Sequence, residues 1–189
     1  MKYADGKRKL EAARKKIAKL RDDMRKVTRE IEPEEIDDYE LETGDGPVKL
    51  SDLFGDKDDL IVIHNMGASC PLCTMWADGF NGIIDHLQAR AAFVVVTPDP
   101  PAAQKRFAAT RGWRFPMASH RGRAFARDMG YWAEPRGWVP GVSAFHKQDG
   151  KIVRLSDTEL SPHDDFNPIW HFFDLFPNGH ADWWPKFKY

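Results

Sequence analysis

Apolar residues recur at alternating steps of three and four along the first part of the chain. This apolar stripe consists of Leu10, Ala13, Ile17, Leu20, Met24, Val27 and Ile31, and Lys or Arg fills most of the remaining positions. The heptad-like spacing predicts a long amphipathic helix that ends before Pro33. This helix would pack on its own domain, form the seam of a homodimer or dock a partner through its basic face, and we favour packing or a dimer over partner docking. An acidic stretch follows, and we divide the chain there into an N-terminal segment, 1–38, and a main domain, 39–189.

From residue 39 the hydrophobic period shortens, and strands and helices begin to alternate. Leu60–Ile63 and Phe93–Val96 are continuous apolar runs rich in β-branched residues, which is typical of strands buried on both faces. Between them, 71–90 has helical periodicity, and Pro71 suits the first turn of a helix. A second helix is predicted at 102–110. Strands joined through a helix in this way pair in parallel.

The last third of the chain predicts a closing hairpin and a final helix. Gly141–Phe145 and Lys151–Leu155 are extended runs that flank Asp149-Gly150, a dipeptide that favours tight hairpin turns. A last helix is expected from 167 to 175. Parallel strands followed by a hairpin predict an α/β fold with a mixed central sheet and helices on both faces.

Length and charge narrow the possible function classes. The chain has 189 residues and a formal net charge of −1, which fits one domain with an appendage. The near-neutral charge gives no electrostatic reason to expect nucleic acid or a membrane surface as a partner. The N-terminal residues lack the apolar core of a signal peptide, and no run approaches the ~20 apolar residues of a membrane helix. We therefore expect a cytoplasmic location.

The candidate chemistry is concentrated in two cysteines, Cys70 and Cys73. A disulfide between residues this close adds little stability in the chain-entropy view, which favours a redox role over a structural one. The pair lies between a predicted buried strand and a helix that starts at Pro71. Because a helix N-terminus favours thiolate over thiol, Cys70 is expected to attack a substrate disulfide. Cys73, one turn along, would then resolve the mixed disulfide.

Two positions at strand ends are candidates for a supporting role. Val139-Pro140 precedes a strand, and an X-Pro bond permits a cis peptide that would face the dithiol and shape a substrate groove. His64 ends a strand six residues before Cys70. It would either relay a proton to Cys73 or serve as a hydrogen-bonded histidine of the core, and we favour the core.

Other residues of interest follow the dithiol or lie near the C-terminus. Trp76 would either pack in the core, which we favour, or form a pocket wall beside the dithiol. Asp78 would either shift the cysteine pKa values or make a local hydrogen bond. The aromatic segments Ile169–Phe176 and Trp183–Phe187 would either pack on their own domain or line a cleft or dimer contact, and we favour packing.

A zinc site is the alternative for a Cys-x-x-Cys pair. It needs two further ligands, yet the sequence has no second pair of cysteines and its seven histidines lack the usual His-x3–5-His spacing. Scattered histidines leave zinc open as the less favoured alternative. We expect no metal and no cofactor.

The block 66–82, Met-Gly-Ala-Ser-Cys-Pro-Leu-Cys-Thr-Met-Trp-Ala-Asp-Gly-Phe-Asn-Gly, resembles the signature of a bacterial family, domain of unknown function 899. Pro140–Phe145 is similar to a later block of that family. Segments 43–53, 60–73 and 93–96 resemble the redoxin branch of the thioredoxin superfamily. The resemblance covers most of the chain. It implies a thioredoxin-like fold, here with an added N-terminal helix and an aromatic C-terminal segment, but it implies no substrate.

The chain departs from better known members of that superfamily at positions that matter for chemistry. Thioredoxins have an acidic residue six positions before the first cysteine and a tryptophan directly before it, where this chain has His64 and Ser69. Peroxiredoxins carry Pro-x-x-x-Thr-x-x-Cys, and the matching positions here are Ile63 and Gly67, with Cys70 as the cysteine. Efficient peroxidase chemistry is therefore not expected.

We interpret the chain as a thiol–disulfide oxidoreductase that acts on protein or small-molecule disulfides. One alternative is a non-catalytic dimeric scaffold or redox sensor of the same fold. Another is a weak thiol-dependent peroxidase that uses Cys70.

Overall fold

The computed structural model describes residues 1–120 and 122–189, which divide into two units, Met1–Pro33 and Glu34–Tyr189. The first unit contains one long helix, α1 (Tyr3–Glu30), which carries the apolar stripe. Ile31 is the C-cap of α1 and has an extended backbone, so the helix ends before Pro33 as predicted. The division lies before the predicted boundary at residue 38, because Glu34–Ile36 forms a strand of the second unit.

The second unit is built on an eight-stranded mixed sheet. Its strands are β1 (Glu34–Ile36), β2 (Glu40–Thr43), β3 (Gly46–Lys49), β4 (Asp59–His64), β5 (Ala92–Thr97), β6 (Met117–His120), β9 (Gly141–Gln148) and β10 (Lys151–Glu159). They lie side by side in the order β1-β10-β9-β4-β5-β6-β2-β3. The central strands β4, β5 and β6 are parallel, and the other pairings are antiparallel. A separate two-stranded ribbon is formed by β7 (Trp132–Ala133) and β8 (Gly137–Trp138).

Helices connect the parallel strands, as the alternating pattern predicts. They are α2 (Pro71–Arg90), α3 (Pro101–Arg111), α4 (Ala124–Asp128) and α5 (Ile169–Phe173), with a 3-10 helix at Leu50–Phe54. A proline opens both α2 and α3, where its fixed φ suits the first turn. Gly112 ends α3 in the left-handed conformation. Among the described residues, none of the helices combines the length and the apolar character that crossing a bilayer requires.

The central strands bury both faces and so divide the interior into two clusters. Val62 of β4 and Val94 of β5 belong to the first cluster, together with Phe54 of the 3-10 helix and Phe125 of α4. The second cluster lies under α2 and includes Ile63, Val95, both cysteines and Trp76. Because successive side chains of a strand point to opposite faces, this alternation decides which residues can reach the dithiol.

The main predictions for the fold are confirmed. The mixed sheet, the parallel strands at Leu60–Ile63 and Phe93–Val96 and the helix at 71–90 are all present. The closing hairpin is longer than predicted, and its register shifts between Arg154 and Ser156. The last helix is shorter than predicted, and the short strands β1, β7 and β8 were not predicted.

Candidate redox site

The dithiol lies at the junction between a buried strand and a helix. Residues 65–69 lead from the end of β4 to Cys70, which is the N-cap of α2. Gly67 has a φ of +98°, a conformation that other residues rarely adopt, and it reverses the chain here. The Cys70 N–H donates to the Gly67 carbonyl oxygen over 3.1 Å. The loop therefore fixes the backbone from which the Cys70 side chain projects.

A backbone hydrogen bond in the first turn of α2 connects Cys73 to the sulfur of Cys70. The Cys73 N–H donates to Cys70 Sγ over 3.1 Å, so the sulfur takes the place that a serine or aspartate oxygen takes in an ordinary N-cap. Thr74 Oγ1 donates to the Cys70 carbonyl oxygen over 3.0 Å. Both cysteines are free thiols, and Cys70 is 9% exposed whereas Cys73 is 2% exposed. Cys70 is thus the more accessible of the two.

The local hydrogen bonds shift the two cysteine pKa values in opposite directions. The thiol of Cys73, which donates to Cys70, is the largest influence and lowers the pKa of Cys70 to about 7. Burial acts against this shift, and the backbone N–H groups of Cys73 and Leu72 add to it. The same side-chain hydrogen bond, followed by burial, raises the pKa of Cys73 far above that of a free thiol. Near neutral pH the site therefore pairs a partly ionised Cys70 with a protonated Cys73.

Polar side chains from two adjacent strand ends hold the loop before the dithiol. Asn65 Oδ1 accepts from the Gly67 N–H over 2.8 Å, and Asp99 Oδ2 accepts from the Ala68 N–H over 2.7 Å. Asn65 Nδ2 also reaches the Cys73 carbonyl oxygen at 3.4 Å. Sequence reasoning did not identify Asn65 or Asp99. The available signal is that each follows the carboxyl end of a buried parallel strand, where loop residues meet at one edge of the sheet.

His64 is placed in the core and is not brought to the thiols. Its Nε2 lies 3.0 Å from Ser143 Oγ, and its ring stacks on Tyr131 with 3.9 Å between centroids. These contacts belong to the first cluster, on the opposite face of the sheet from α2. Burial, followed by the nearby charges of His120 and Arg154, holds the pKa of His64 well below its usual range. This position agrees with the core histidine that we favoured, and it lies across the sheet from Cys73.

Pro140 lies at the same edge of the sheet as the dithiol loop, but its peptide bond is not cis. Gly141, the next residue, pairs with His64 at the end of β4. Pro140 is half-buried, and its carbonyl oxygen accepts from the Leu160 N–H over 2.9 Å. The cis bond of this region is Glu134–Pro135, and the Val139–Pro140 bond is trans. The sequence permitted a cis peptide at Val139–Pro140 and left the isomer open, and the structure has the trans isomer there.

The remaining candidates on α2 serve the packing of the helix. Trp76 is buried in the second cluster, and its Nε1 donates to Asp164 Oδ1 over 3.4 Å. Asp78 accepts from Trp113 Nε1 over 2.9 Å and from Arg111 Nε over 3.2 Å. Asp78 thus ties α2 to the end of α3. Pro71 occupies the first position of α2, directly between Cys70 and Leu72 in sequence.

The aromatic C-terminal segments pack on their own unit only in part, because Phe172, Leu175 and Phe176 are exposed. Trp170 is fully buried and contacts the rings of His163, Trp183 and Trp184. Further along, the Phe187 carbonyl oxygen accepts from Arg111 Nη1 over 2.8 Å. Within residues 1–120 and 122–189, no group of three or more His, Cys, Asp or Glu side chains is arranged to hold a metal ion.

Solved structures with a similar architecture include peroxiredoxins. Peroxiredoxin Q of Xanthomonas campestris is 19% identical, with a TM-score of 0.54 over 65% of this chain and 80% of that one. Peroxidoxin BcpB of Mycobacterium tuberculosis is 24% identical, with a TM-score of 0.55 over 67% of this chain and 84% of that one. Reduced Prx3 of Vibrio vulnificus is 15% identical, with a TM-score of 0.56 over 71% and 89%. Identities this low show a shared fold alone, and that fold is thioredoxin-like.

The sequence comparisons identify the family. No curated protein sequence matches the chain. The family model described as "Bacterial protein of unknown function (DUF899)" matches residues 1–188. The chain therefore belongs to the bacterial DUF899 family, whose thioredoxin-like fold here carries a Cys-Pro-Leu-Cys dithiol at the start of α2.

Proposed function

We propose that this protein is a thiol–disulfide oxidoreductase in which Cys70 attacks and Cys73 resolves. The observation that supports the proposal best is the hydrogen bond from the Cys73 N–H to Cys70 Sγ at the start of α2. This contact stabilises a thiolate at Cys70 and holds the second sulfur one helical turn away. The lowered pKa of Cys70 and the raised pKa of Cys73 give the two thiols different roles.

In the first step the Cys70 thiolate attacks one sulfur of a substrate disulfide. The substrate S–S bond breaks, a mixed disulfide forms between Cys70 and one half of the substrate, and the other half leaves as a thiolate. With a pKa of about 7, about half of Cys70 is ionised at pH 7, compared with a few per cent of an ordinary cysteine. Because Cys70 is the more exposed thiol, it is the one that a substrate reaches.

In the second step Cys73 releases the bound half of the substrate. Its thiol proton passes to the departing thiolate or to water, and its sulfur attacks Cys70 Sγ. A Cys70–Cys73 disulfide forms, the mixed disulfide breaks, and the dithiol has lost two electrons to the substrate. Conversion of Cys70 to a mixed disulfide removes the negative charge beside Cys73, which makes ionisation of Cys73 easier at the step that needs it.

The substrate groove is proposed to run beside Pro140, at the edge of the sheet where β4 ends and β9 begins. A thiol donor, either a dithiol protein or a small thiol, would return the Cys70–Cys73 disulfide to the reduced state. We place this cycle in the reducing cytosol, where closely spaced cysteines more often serve catalysis than structure.

The proposal is tested by thiol trapping in graded glutathione buffers, with metal content measured on the same sample. We expect a reversible two-electron transition between about −300 and −120 mV, the range of dithiol oxidoreductases and their compartments. Turnover of a small aromatic disulfide should be lost in Cys70→Ser. Cys73→Ser should instead accumulate one mixed disulfide per chain, visible by mass spectrometry.

Three results would contradict the proposal that this protein is an oxidoreductase. Stoichiometric zinc on the thiols would indicate a metal site. A reversible disulfide without turnover would indicate the redox sensor, and full turnover by Cys70→Ser, with the fold intact by circular dichroism, would place the activity elsewhere.

A second candidate function is thiol-dependent peroxide reduction, which the shared fold with peroxiredoxins favours. The Cys70 thiolate would attack a peroxide, release an alcohol or water and become a sulfenic acid. Condensation with Cys73 would release water and give the same disulfide. Gly67 stands at the sequence position of the peroxiredoxin threonine and has no hydroxyl, so we expect slow peroxide consumption. A second-order rate no higher than that of a free thiol would exclude this candidate.

A further inference from the structure

The N-terminal helix carries an apolar stripe that a single helix cannot cover by itself. Over its 28 residues, α1 extends about 42 Å, and none of its side chains is buried. The stripe keeps strict alternating steps of three and four from Leu10 to Val27. We propose that α1 pairs with α1 of a second copy of this chain, and that the two helices run antiparallel.

The spacing is that of a two-stranded coiled coil. With Leu10, Ile17 and Met24 at heptad position a, the d positions are Ala13, Leu20 and Val27. All six are apolar, so the seam between two copies would contain no buried charge. In the antiparallel arrangement Ile17 meets Leu20 of the second copy at the centre. Met24 there meets Ala13, which places a large side chain against a small one.

The charged positions beside the stripe favour the antiparallel orientation. Antiparallel helices bring the g positions of one copy opposite the g positions of the other. These positions are Lys9, Lys16, Asp23 and Glu30. Lys9 therefore faces Glu30, and Lys16 faces Asp23, and symmetry repeats each opposite-charge pair.

The e positions add one unfavourable contact to this arrangement. Arg14 of one copy faces Arg21 of the other, and symmetry repeats it, whereas Lys7 faces the neutral Thr28. Two kinds of attractive pair thus oppose one kind of repulsive pair. The balance of flanking charges is favourable.

A parallel pair would reverse this balance. In parallel helices each g position faces the e position of the next heptad on the partner helix. Lys9 would then face Arg14, and Lys16 would face Arg21, so both pairs would be repulsive. Asp23 would face Thr28, which offers no opposite charge. The g positions are basic in the first half of α1 and acidic in the second half, and this difference favours the antiparallel orientation.

The first experiment measures the mass of the full-length chain by sedimentation under reducing conditions. We expect a dimer at micromolar concentration. Ile17→Lys introduces a charge into the stripe and should give a monomer. Ala18→Lys places the same side chain one residue further along, on the outer face of α1, and should remain a dimer. A monomeric wild-type chain would overturn the proposal.

The second experiment tests orientation by reversing one charge. In the antiparallel pair, Lys16→Asp sets two carboxylates against each other at two symmetric sites and should raise the dimer Kd roughly tenfold. Adding Asp23→Lys restores opposite charges and should return the Kd to near the wild-type value. In a parallel pair, Lys16→Asp would face Arg21 and tighten the dimer. Tighter binding would overturn the antiparallel arrangement, and a dimer that persists in Ile17→Lys would place the interface elsewhere.

Discussion

Replacement of Cys73 by alanine or by serine should separate the two contributions that Cys73 makes to the ionisation of Cys70. Cys73 donates to Cys70 both through its side-chain thiol and through its backbone N–H, and the side chain is the larger influence on the Cys70 pKa. Cys73→Ala removes the side-chain donor and keeps the backbone donor. Cys73→Ser keeps a hydroxyl donor at the same position and serves as the matched control.

The expected size of the effect follows from the strength of such a contact. A hydrogen bond to a charged group contributes roughly 1.5 to 3 kcal/mol, and one pKa unit corresponds to about 1.4 kcal/mol. Loss of the side-chain donor should therefore raise the Cys70 pKa from about 7 by roughly one to two units. At pH 7 the ionised fraction of Cys70 would fall from about a half to about a tenth or less. The serine variant should stay near the wild-type value.

Thiolate absorbance in the ultraviolet, followed as a function of pH, measures this directly. The wild-type protein should show one thiolate that appears as the pH rises through about 7, while Cys73 stays protonated because its pKa is raised. The pH dependence of alkylation by iodoacetamide should have the same midpoint. If Cys73→Ala still titrates near pH 7, the side-chain hydrogen bond does not control Cys70 and the reasoning is refuted.

Three further predictions concern the surroundings of the site. Gly67→Ala should cost about 2 kcal/mol in urea unfolding, more than Gly112→Ala, because both have positive φ but only at Gly67 would the new methyl approach a carboxylate at 2.7 Å. Burial lowers the pKa of His120 to about 4, so the fold should lose stability as the pH falls from about 6.5 toward 4, where the unfolded chain binds the proton first. At pH 5 the protonation of His120 in the unfolded chain should cost about 2 kcal/mol of unfolding free energy, and His120→Phe should abolish this cost. If the slope of stability against pH is unchanged in His120→Phe, His120 is not the group responsible. Asp78→Asn should weaken unfolding stability by at most about 1 kcal/mol and leave the Cys70 pKa unchanged; a shifted midpoint of Cys70 alkylation would show an electrostatic role.

The sequence predicts well those parts of the fold whose signal is local. The apolar patterns that predict the helix at Pro71–Arg90 and the strands β4 and β5 each extend over several residues. Each of these elements appears where it was predicted. Strands β1, β7 and β8 have two or three residues each, which is too short for a pattern to develop. Strands β7 and β8 pair with each other. Strand β1 forms because a distant strand offers a pairing edge, as β10 does for Glu34–Ile36. That contact spans most of the chain and leaves no mark in the local sequence.

The residues of the candidate site also divide into those that local sequence predicts and those that depend on distant contacts. The dithiol was found because both cysteines lie within one helical turn, so their proximity follows from sequence alone. Asp99 was missed because its position beside Ala68 depends on the parallel pairing of β4 with β5. The role of His64 was left open because sequence spacing places it near Cys73 along the chain, whereas the strand turns successive side chains to opposite faces.

The difference between the two thiols follows from where the helix begins. Cys70 is the N-cap, so its side chain lies beside N–H groups that the helix itself cannot satisfy. Cys73 is three residues inside the helix, where its own N–H is used by Cys70 and its side chain turns toward the core under α2. The hydrogen bonds that lower the Cys70 pKa all come from the first turn of α2 itself. The lowered pKa of Cys70 therefore depends on α2 starting at Pro71, directly after the loop to which Asn65 and Asp99 hydrogen-bond.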